Sequence, residues 1–181
     1  MIIRATSKLL KISGIKPMKN EWKSEETFPG EWYGNLLKTG HAGKTYVLLF
    51  HNKTKISIIC PTKSISAALK LLPKRLENFL VRHRFETFLD KFELESTNNI
   101  YTTNDKSTLS FMNQIAYNAE WHLSYSQPLE ECNLENIEDI HSKYLFSKKG
   151  KVGHYETTLD ILNRIHRSLD ETTDSVTTQS I

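Results

Sequence analysis

Three apolar segments separated by very short polar turns constrain the fold of this chain more than any other feature. The segments are residues 32–39, 44–50 and 55–60, and the turns between them are residues 40–43 and 51–54. A parallel connection between two strands needs a crossover of about a dozen or more residues, which is usually a helix. The short turns therefore predict an antiparallel meander of three strands.

Apolar residues recur at helical spacing through most of the remaining chain. A short helical segment at 7–13 ends at Gly14, and Pro73 predicts a division of a longer segment into two helices. Residues 2–6 and 99–103 are short strand candidates. The longer helical segments are 64–92, 109–123, 134–144 and 159–169. This pattern predicts an α+β fold in which a small, mainly antiparallel sheet packs with four to five helices.

The composition of the 181 residues suits a single compact domain, with 38% apolar and 25% charged residues. These fractions exclude collagen-like, coiled-coil and wholly disordered chains. No apolar run approaches the roughly 18 residues that a membrane span needs, so no membrane partner is predicted. Residues 170–181 are rich in Thr and Ser and have almost nothing to bury. We predict a single domain at 1–169 followed by a disordered tail at 170–181.

Charge is distributed unevenly along the chain, although the net charge is only +3. Residues 1–23 and 63–91 are mainly basic, whereas residues 120–141 contain carboxylates and no lysine or arginine. These blocks either pair with each other inside the fold or leave a basic face that meets a polyanion. Aromatic residues in 63–91 fall at core spacing, which favours a solvated charged face over a nucleic-acid site. The candidate nucleic-acid-binding residues on this face are Lys70, Lys74, Arg75, Arg82 and Arg84.

The sequence carries no familiar catalytic or metal-binding motif. The segment 39–45, TGHAGKT, lacks the first glycine of a phosphate-binding loop and precedes a strand, so it is predicted to be a β-turn. Cys60 and Cys132 lie in unrelated contexts without the spacing of a zinc site. We therefore predict no catalytic residue, no metal site and no cofactor. Two free cysteines indicate a reducing, cytoplasmic setting.

The start of the helical segment after residue 104 is the first candidate for a small-ligand site. A helix N-terminus presents free N–H groups and a partial positive charge, and Lys106 adds a full charge beside Asn104 and Ser107. An anion could dock at this point. The alternative is ordinary capping of the helix by Asn104, Asp105 or Ser107.

Two further polar residues belong to the same candidate ligand set. Asn113 shares a face of its helix with Glu120, and such a pair can bind a polar ligand or form a polar stripe beside the core. Strand alternation buries Ile3 and Ala5 and places Arg4 on the opposite face. If helices cover both faces of the sheet, Arg4 needs a carboxylate or a bound anion; on a one-sided sheet it is solvated.

Five blocks of the chain occur in an order that is typical of one family. They are MIIRATSKLLKISGIKP at 1–17, WYGNLL at 32–37, YVLLFHNKTKISIICP at 46–61, TNDKSTLSFMNQIA at 103–116 and HYETTLDIL at 154–162. Together they resemble the bacterial domain of unknown function 6933 family across residues 1–169. The chain departs from the family pattern at Lys106, Ser110 and Gln114. The resemblance implies a compact α+β domain in the cytoplasm of a bacterium, and it implies no reaction, cofactor or partner.

These observations support two functional hypotheses. The preferred hypothesis is a non-enzymatic intracellular module that binds a protein or nucleic-acid partner through its segregated basic and acidic faces. The alternative is an enzyme that acts on a phosphorylated or nucleotide-like ligand near Lys106 and Ser107. A pocket that joins this helix start to Arg4 or to a histidine would favour the enzyme, whereas a flat surface with a solvated Lys106 would remove it.

Overall fold

The computed structural model describes residues 1–19, 28–94, 99–147 and 153–177, with side chains as far as residue 168. Its strands are β1 (Ile2–Ala5), β2 (Glu31–Lys38), β3 (Thr45–His51), β4 (Ser57–Cys60), β5 (Asn99–Thr102), β6 (Phe146–Ser147) and β7 (Tyr155–Glu156). Its α-helices are α1 (Ser7–Ser13), α2 (Ile65–Arg82), α3 (Lys106–Tyr125), α4 (Leu134–Ser142) and α5 (Thr158–Thr177). Short 3-10 helices lie at Glu86–Phe92 and Leu129–Glu131.

The main sheet has five strands in the order β4-β3-β2-β1-β5. Strands β2, β3 and β4 pair antiparallel, which confirms the predicted meander. Strand β1 pairs parallel with both β2 and β5, so the sheet is mixed and the prediction of a mainly antiparallel sheet is wrong. The short turns govern only β2 to β4. The segment 6–30 contains α1 and is long enough for a parallel crossover.

Helices cover both faces of this sheet, so the domain has three layers. Ile3, Trp32 and Leu49 point to the face that packs against α1 and α2 and against Leu162 of α5. Tyr33, Leu48 and Ile59 alternate with those residues and point to the face covered by α3 and α4. Because both faces are buried, β3 and β4 carry apolar residues almost continuously instead of alternating with polar ones.

The described residues contain more helical segments than the four to five predicted, since the two 3-10 helices add to five α-helices. Helix α2 is continuous from Ile65 to Arg82, so the predicted division at Pro73 is wrong. Pro73 lies on the exposed side of α2, where water can solvate the carbonyl that loses its partner. Leu72 and Leu76 on either side of it are fully buried and hold the helix against the sheet.

Helix α5 (Thr158–Thr177) begins with core contacts and continues past residue 169. Ile161 and Leu162 are buried in its first turns. The backbone of residues 170–177 is helical, although the sequence analysis assigns these residues to a disordered tail. Residues 178–181 of that tail lie outside the described residues. The division of the chain into a domain at 1–169 and a tail stays a prediction.

Candidate functional site

Arg4 lies in a buried polar cluster on the face of the sheet that α3 and α4 cover. Its Nε and Nη2 atoms donate to the two carboxylate oxygens of Glu31 at 2.8 and 3.0 Å, and both side chains are almost completely buried. Nη1 donates to the carbonyl oxygen of Thr102 at 3.4 Å, and the guanidinium lies 5.6 Å from the ring centroid of Tyr101. The sheet is covered on both faces, and the group that neutralises Arg4 is a carboxylate.

Tyr33 connects this ion pair to the start of α3. Its Oη atom lies within hydrogen-bond distance of Glu31 Oε2 (3.3 Å) and of Asn104 Oδ1 (3.4 Å). Burial of the phenol and the negative charge of Glu31 raise the pKa of Tyr33, so the side chain remains a neutral hydrogen-bond donor. The structure therefore brings together Arg4 and Asn104, two members of the candidate ligand set, through Glu31 and Tyr33.

Asp105 caps the N-terminus of α3. Its Oδ1 accepts a hydrogen bond from the Ser107 amide at 2.9 Å, and its Oδ2 accepts from the hydroxyl of Thr108. The Lys106 and Ser107 side chains are exposed to solvent. The Ser107 amide, which an anion would use, already donates to the capping carboxylate. This arrangement is the ordinary helix capping that was the alternative to a ligand site.

Lys55 and Glu31 are cluster residues that the sequence analysis missed. Lys55 Nζ donates to the Asn52 carbonyl at 2.6 Å and lies 5.3 Å from the ring centroid of Phe111. Burial lowers the pKa of Lys55 to about 8, and the negative charge of Asp105 partly opposes this shift. Sequence position hides both residues, because Glu31 ends a segment that reads as a polar loop and Lys55 starts one that reads as a strand.

The arginines of α2 pair with the acidic residues of α4. Arg75 Nη2 donates to Glu138 Oε1 at 2.6 Å, and Arg82 Nη2 lies 3.0 Å from Asp139 Oδ1 and 3.3 Å from Glu138 Oε2. Glu138 is fully buried and its Oε1 also accepts from the Ile59 amide of β4 at 2.9 Å. The basic and acidic blocks therefore pair with each other at these arginines, which was the first of the two interpretations of their charge.

Five exposed lysines remain on the side of the domain formed by α1 and the first half of α2. Helix α1 packs against α2, and Ser13 Oγ accepts from the Ile65 amide at 2.9 Å where the two helices meet. Neither residues 1–19 nor residues 61–76 contain Asp or Glu. The lysine surface, as we call it, consists of Lys8, Lys11, Lys63, Lys70 and Lys74.

The carboxylate nearest in sequence to this surface belongs to Glu77, which pairs with Lys74 at 2.9 Å in an exposed contact. In the part of the chain that the structure describes, the other four lysines have no carboxylate partner. Arg84 is exposed beyond the C-terminus of α2 and extends the basic character toward the 3-10 helix.

A shallow groove of about 650 Å³ lies between the exposed side of α3 and Tyr144, which follows the end of α4. Asn113 is one of its lining residues, so this member of the candidate set is separate from the Arg4 cluster. Glu120 does not join Asn113, because its Oε1 accepts from the Lys38 amide at the end of β2 at 2.8 Å. The groove is lined by Ser110, Asn113, Gln114, Tyr117, Asn118 and Tyr144.

A buried histidine supports one wall of the groove. His141 Nε2 donates to Asn118 Oδ1 at 3.1 Å, and His141 Nδ1 accepts from Ser57 Oγ at 2.9 Å. Burial, with a smaller contribution from His122, lowers the pKa of His141 to about 4, so the ring is neutral at physiological pH. Ser57 is itself buried on β4, so this serine–histidine pair has no access to a substrate in solution.

The described residues show no group of three or more His, Cys, Asp and Glu side chains that could hold a metal ion. Cys60 is buried, and burial raises the pKa of its thiol to about 12. Within the same residues, none of the helices is both long and apolar enough to cross a membrane.

Comparison with known proteins identifies the family. Residues 2–156 match the family model described as Domain of unknown function (DUF6933), which is most of the chain. The chain belongs to the DUF6933 family. The match confirms the family that the sequence blocks indicated, over residues 2–156. No curated protein and no solved structure matches the chain.

The part of the chain that the DUF6933 family covers ends at Glu156, two residues before the first residue of α5. It contains the whole main sheet, helices α1 to α4 and the β6–β7 hairpin. The Arg4 cluster, the start of α3, the lysine surface and the groove therefore all lie within the DUF6933 region.

Proposed function

We propose that this DUF6933 domain is a non-enzymatic binding module of the bacterial cytoplasm that takes a nucleic acid on the lysine surface. The observation that carries the proposal is the exposure of Lys8, Lys11, Lys63 and Lys70. They lie on or next to two packed helices, within residues 1–19 and 61–76, which contain no carboxylate. A phosphate backbone binds such a surface by releasing its condensed counterions, without any requirement for a shaped pocket.

The proposal keeps Lys70 and Lys74 from the candidate nucleic-acid set and adds the lysines of α1. Arg75 and Arg82 contribute less, because Glu138 and Asp139 already neutralise them and hold them between α2 and α4. Arg84 is exposed and lies at the far end of α2, where it would extend the contact along the backbone of a longer nucleic acid.

The alternative function, an enzyme acting on a phosphorylated ligand at the start of α3, has less support. The Ser107 amide already donates a hydrogen bond to Asp105, and the Lys106 side chain is exposed to solvent. Arg4 is engaged by both oxygens of Glu31, so it does not offer a free guanidinium to a phosphate.

Fluorescence anisotropy of a labelled oligonucleotide tests the proposal. A mixed-sequence duplex and an oligo-dT strand should both bind the full chain, and the affinity should fall steeply between about 50 and 200 mM salt. Substitution of Lys8, Lys11 or Lys70 by Gln should weaken binding to every sequence and lower the salt slope by about 1 per lysine.

The matched controls are Lys106→Gln on α3 and Lys143→Gln beyond α4, two exposed lysines on the other side of the sheet. Both variants should bind like the unchanged chain. The proposal fails if neither oligonucleotide binds at the lower salt concentration. It fails equally if the two control variants lose as much affinity as the variants of the lysine surface.

A further inference from the structure

The exposed side of α3 carries three aromatic residues at intervals of four. Tyr117, Trp121 and Tyr125 are 75, 52 and 72% exposed, and the rings of Trp121 and Tyr125 lie 4.9 Å apart. Residues four apart lie on one side of a helix, so the three rings form a stripe of about 12 Å along α3. Large aromatic side chains in such a row are unusual on a solvated surface and mark contact sites.

The aromatic stripe continues directly into the groove through Tyr117, which belongs to both. Every lining residue of the groove has a side chain that can form hydrogen bonds and carries no charge at neutral pH. Between Ser107 and Tyr125, the only Asp, Glu, Lys or Arg is Glu120, and its carboxylate accepts from the Lys38 amide. The surface is therefore rich in donors, acceptors and rings, and the lining of the groove contains no charged side chain.

Asn118 is fixed in this groove before any ligand arrives. His141 donates to its Oδ1, and Ser57 in turn donates to His141, so a buried chain of hydrogen bonds orients the amide. Among the described residues, the Asn118 Nδ2 group has no partner. A donor that is already oriented loses little conformational entropy on binding, which is the usual advantage of a preorganised site.

We propose that the groove and the aromatic stripe of α3 bind a neutral oligosaccharide. Sugar hydroxyls both donate and accept hydrogen bonds, as do the Asn, Gln, Ser and Tyr side chains that line the groove. The C–H faces of pyranose rings pack against Tyr and Trp rings, and three such rings lie in a row along α3. The volume of the groove lies within the range of small-molecule sites.

Other ligand classes fit this surface less well. A nucleic acid needs cationic side chains along its backbone, and the surface has none between Ser107 and Tyr125. A lipid needs aliphatic side chains, and the lining of the groove contains none. The fully buried centre of a protein interface is more apolar than the surface as a whole, whereas every side chain that lines this groove carries a hydrogen-bonding group.

Titration of the full chain with maltohexaose, cellohexaose and chitohexaose tests the inference, followed by tryptophan fluorescence and by calorimetry. At least one of the three should bind with a Kd of about 1 mM or tighter. Its affinity should not change between low and high salt, because no charge is involved. Trp121→Ala and Tyr117→Ala should each weaken binding about tenfold.

Ile12→Ala on α1, an exposed apolar residue on the other face of the sheet, is the matched control and should leave the Kd unchanged. Circular dichroism of each variant shows whether the fold is retained. Asn118→Ala should also weaken binding, and its effect distinguishes the groove from the stripe. The inference is overturned if none of the three sugars binds, or if Trp121→Ala binds as tightly as the unchanged chain. Sedimentation that reveals a dimer abolished by Trp121→Ala would also overturn it, because a second copy would then cover the stripe.

Discussion

Arg4 and Glu31 place two opposite charges inside a protein layer where almost no water reaches either side chain. Burial of one such charge alone would cost several kcal/mol, and the bidentate contact of guanidinium and carboxylate offsets that cost. The turn after β3 also holds Glu31, because Asn52 Oδ1 accepts from the Glu31 amide at 2.9 Å. The pair therefore joins β1, β2 and the turn at 51–54. Its contribution to the stability of the fold depends on both charges being present.

Glu31→Gln tests this dependence, since it leaves Arg4 buried without its carboxylate. We expect the free energy of unfolding to fall by about 3 kcal/mol or more. Urea denaturation measures the change. Glu130→Gln is the control, because Glu130 forms an exposed ion pair with Lys44, and its urea midpoint should stay where it is. Equal effects of the two substitutions would contradict the buried role of Glu31.

Gly40 and Gly43 lie in one turn, and together they distinguish the cost of a left-handed backbone from the cost of a steric clash when a side chain is added. Both have positive φ angles, of 77° and 71°. A Cβ at Gly40 would lie 2.8 Å from Ser124 Cβ and 3.0 Å from Ser124 Cα of α3, whereas a Cβ at Gly43 meets nothing within 4 Å. Gly43→Ala should lower the free energy of unfolding by about 1 kcal/mol through the left-handed backbone alone.

Gly40→Ala should cost more, about 2–3 kcal/mol, because α3 must also move away from the new methyl group. Thermal unfolding of the two variants side by side measures the difference. If both variants unfold at the same temperature, α3 does not approach the turn as closely as the distances to Ser124 indicate.

At the scale of elements, α2 and α4 come from distant parts of the chain and are joined by charge. Glu138 receives Arg75 from one side and Arg82 from the other, and it binds the backbone of β4 as well. Glu135 contacts the same Arg82 at 3.3 Å but is 44% exposed. The two glutamates of α4 therefore differ in burial while sharing an arginine.

Glu138→Gln should lower the free energy of unfolding by about 3 kcal/mol, because it leaves two partly buried arginines without their shared carboxylate. Glu135→Gln, on the same helix, should cost less than about 1 kcal/mol, since water already screens that contact. Urea denaturation of the pair of variants decides between them. Similar losses of unfolding free energy at both positions would show that burial of Glu138 does not increase its contribution to stability.

Local signals in the sequence predict the elements well, whereas long-range partners escape them. Gly14 ends α1 with a φ of 65°, and the side chains of Ser64 and Asn133 cap α2 and α4 as helix-start rules require. The partner of Arg4 is far along the chain, and nothing near either residue announces the pairing. The parallel position of β1 has the same cause, because it depends on how a long crossover packs.

The candidate site follows the same division. Capping of α3 by Asp105 is a local event and was one of the predicted alternatives. The groove depends on Tyr144 lying beside α3, and the lysine surface depends on α1 packing against α2. No periodicity or motif in the sequence indicates either contact. Only the tertiary structure shows which polar residues lie close together.

At the scale of the whole molecule, a buried neutral histidine lies on each side of the central sheet. His51 is enclosed on the α1–α2 side by the Trp32 and Phe92 rings, and its ring nitrogens bond to the Pro29 carbonyl and to Thr54. Burial lowers the pKa of His51 to about 3. His141 on the opposite side has a pKa of about 4, also lowered mainly by burial. His51 and His141 are therefore unprotonated in the folded chain at pH values where they bind a proton in the unfolded chain.

Stability should consequently fall as the pH drops from about 6.5, the ordinary pKa of histidine, toward 4. In that interval the unfolded state binds protons at His51 and His141 while the folded state does not. Each such histidine contributes at most about 1.4 kcal/mol per pH unit, and this limit is reached only where the unfolded state is fully protonated. Because the unfolded histidines are partly protonated at pH 6, the two together should lower the free energy of unfolding by about 2 kcal/mol between pH 6 and 5.

His141→Gln should remove about half of this dependence, because glutamine can keep the polar contacts and does not titrate. His154→Gln is the matched control, since His154 is exposed to solvent and this variant should keep the slope of the unchanged chain. Urea denaturation at closely spaced pH values gives the three slopes. If His141→Gln retains the full slope of the unchanged chain, other groups take up the protons on unfolding. His141 would then not be the buried, neutral residue that holds Asn118 in the groove.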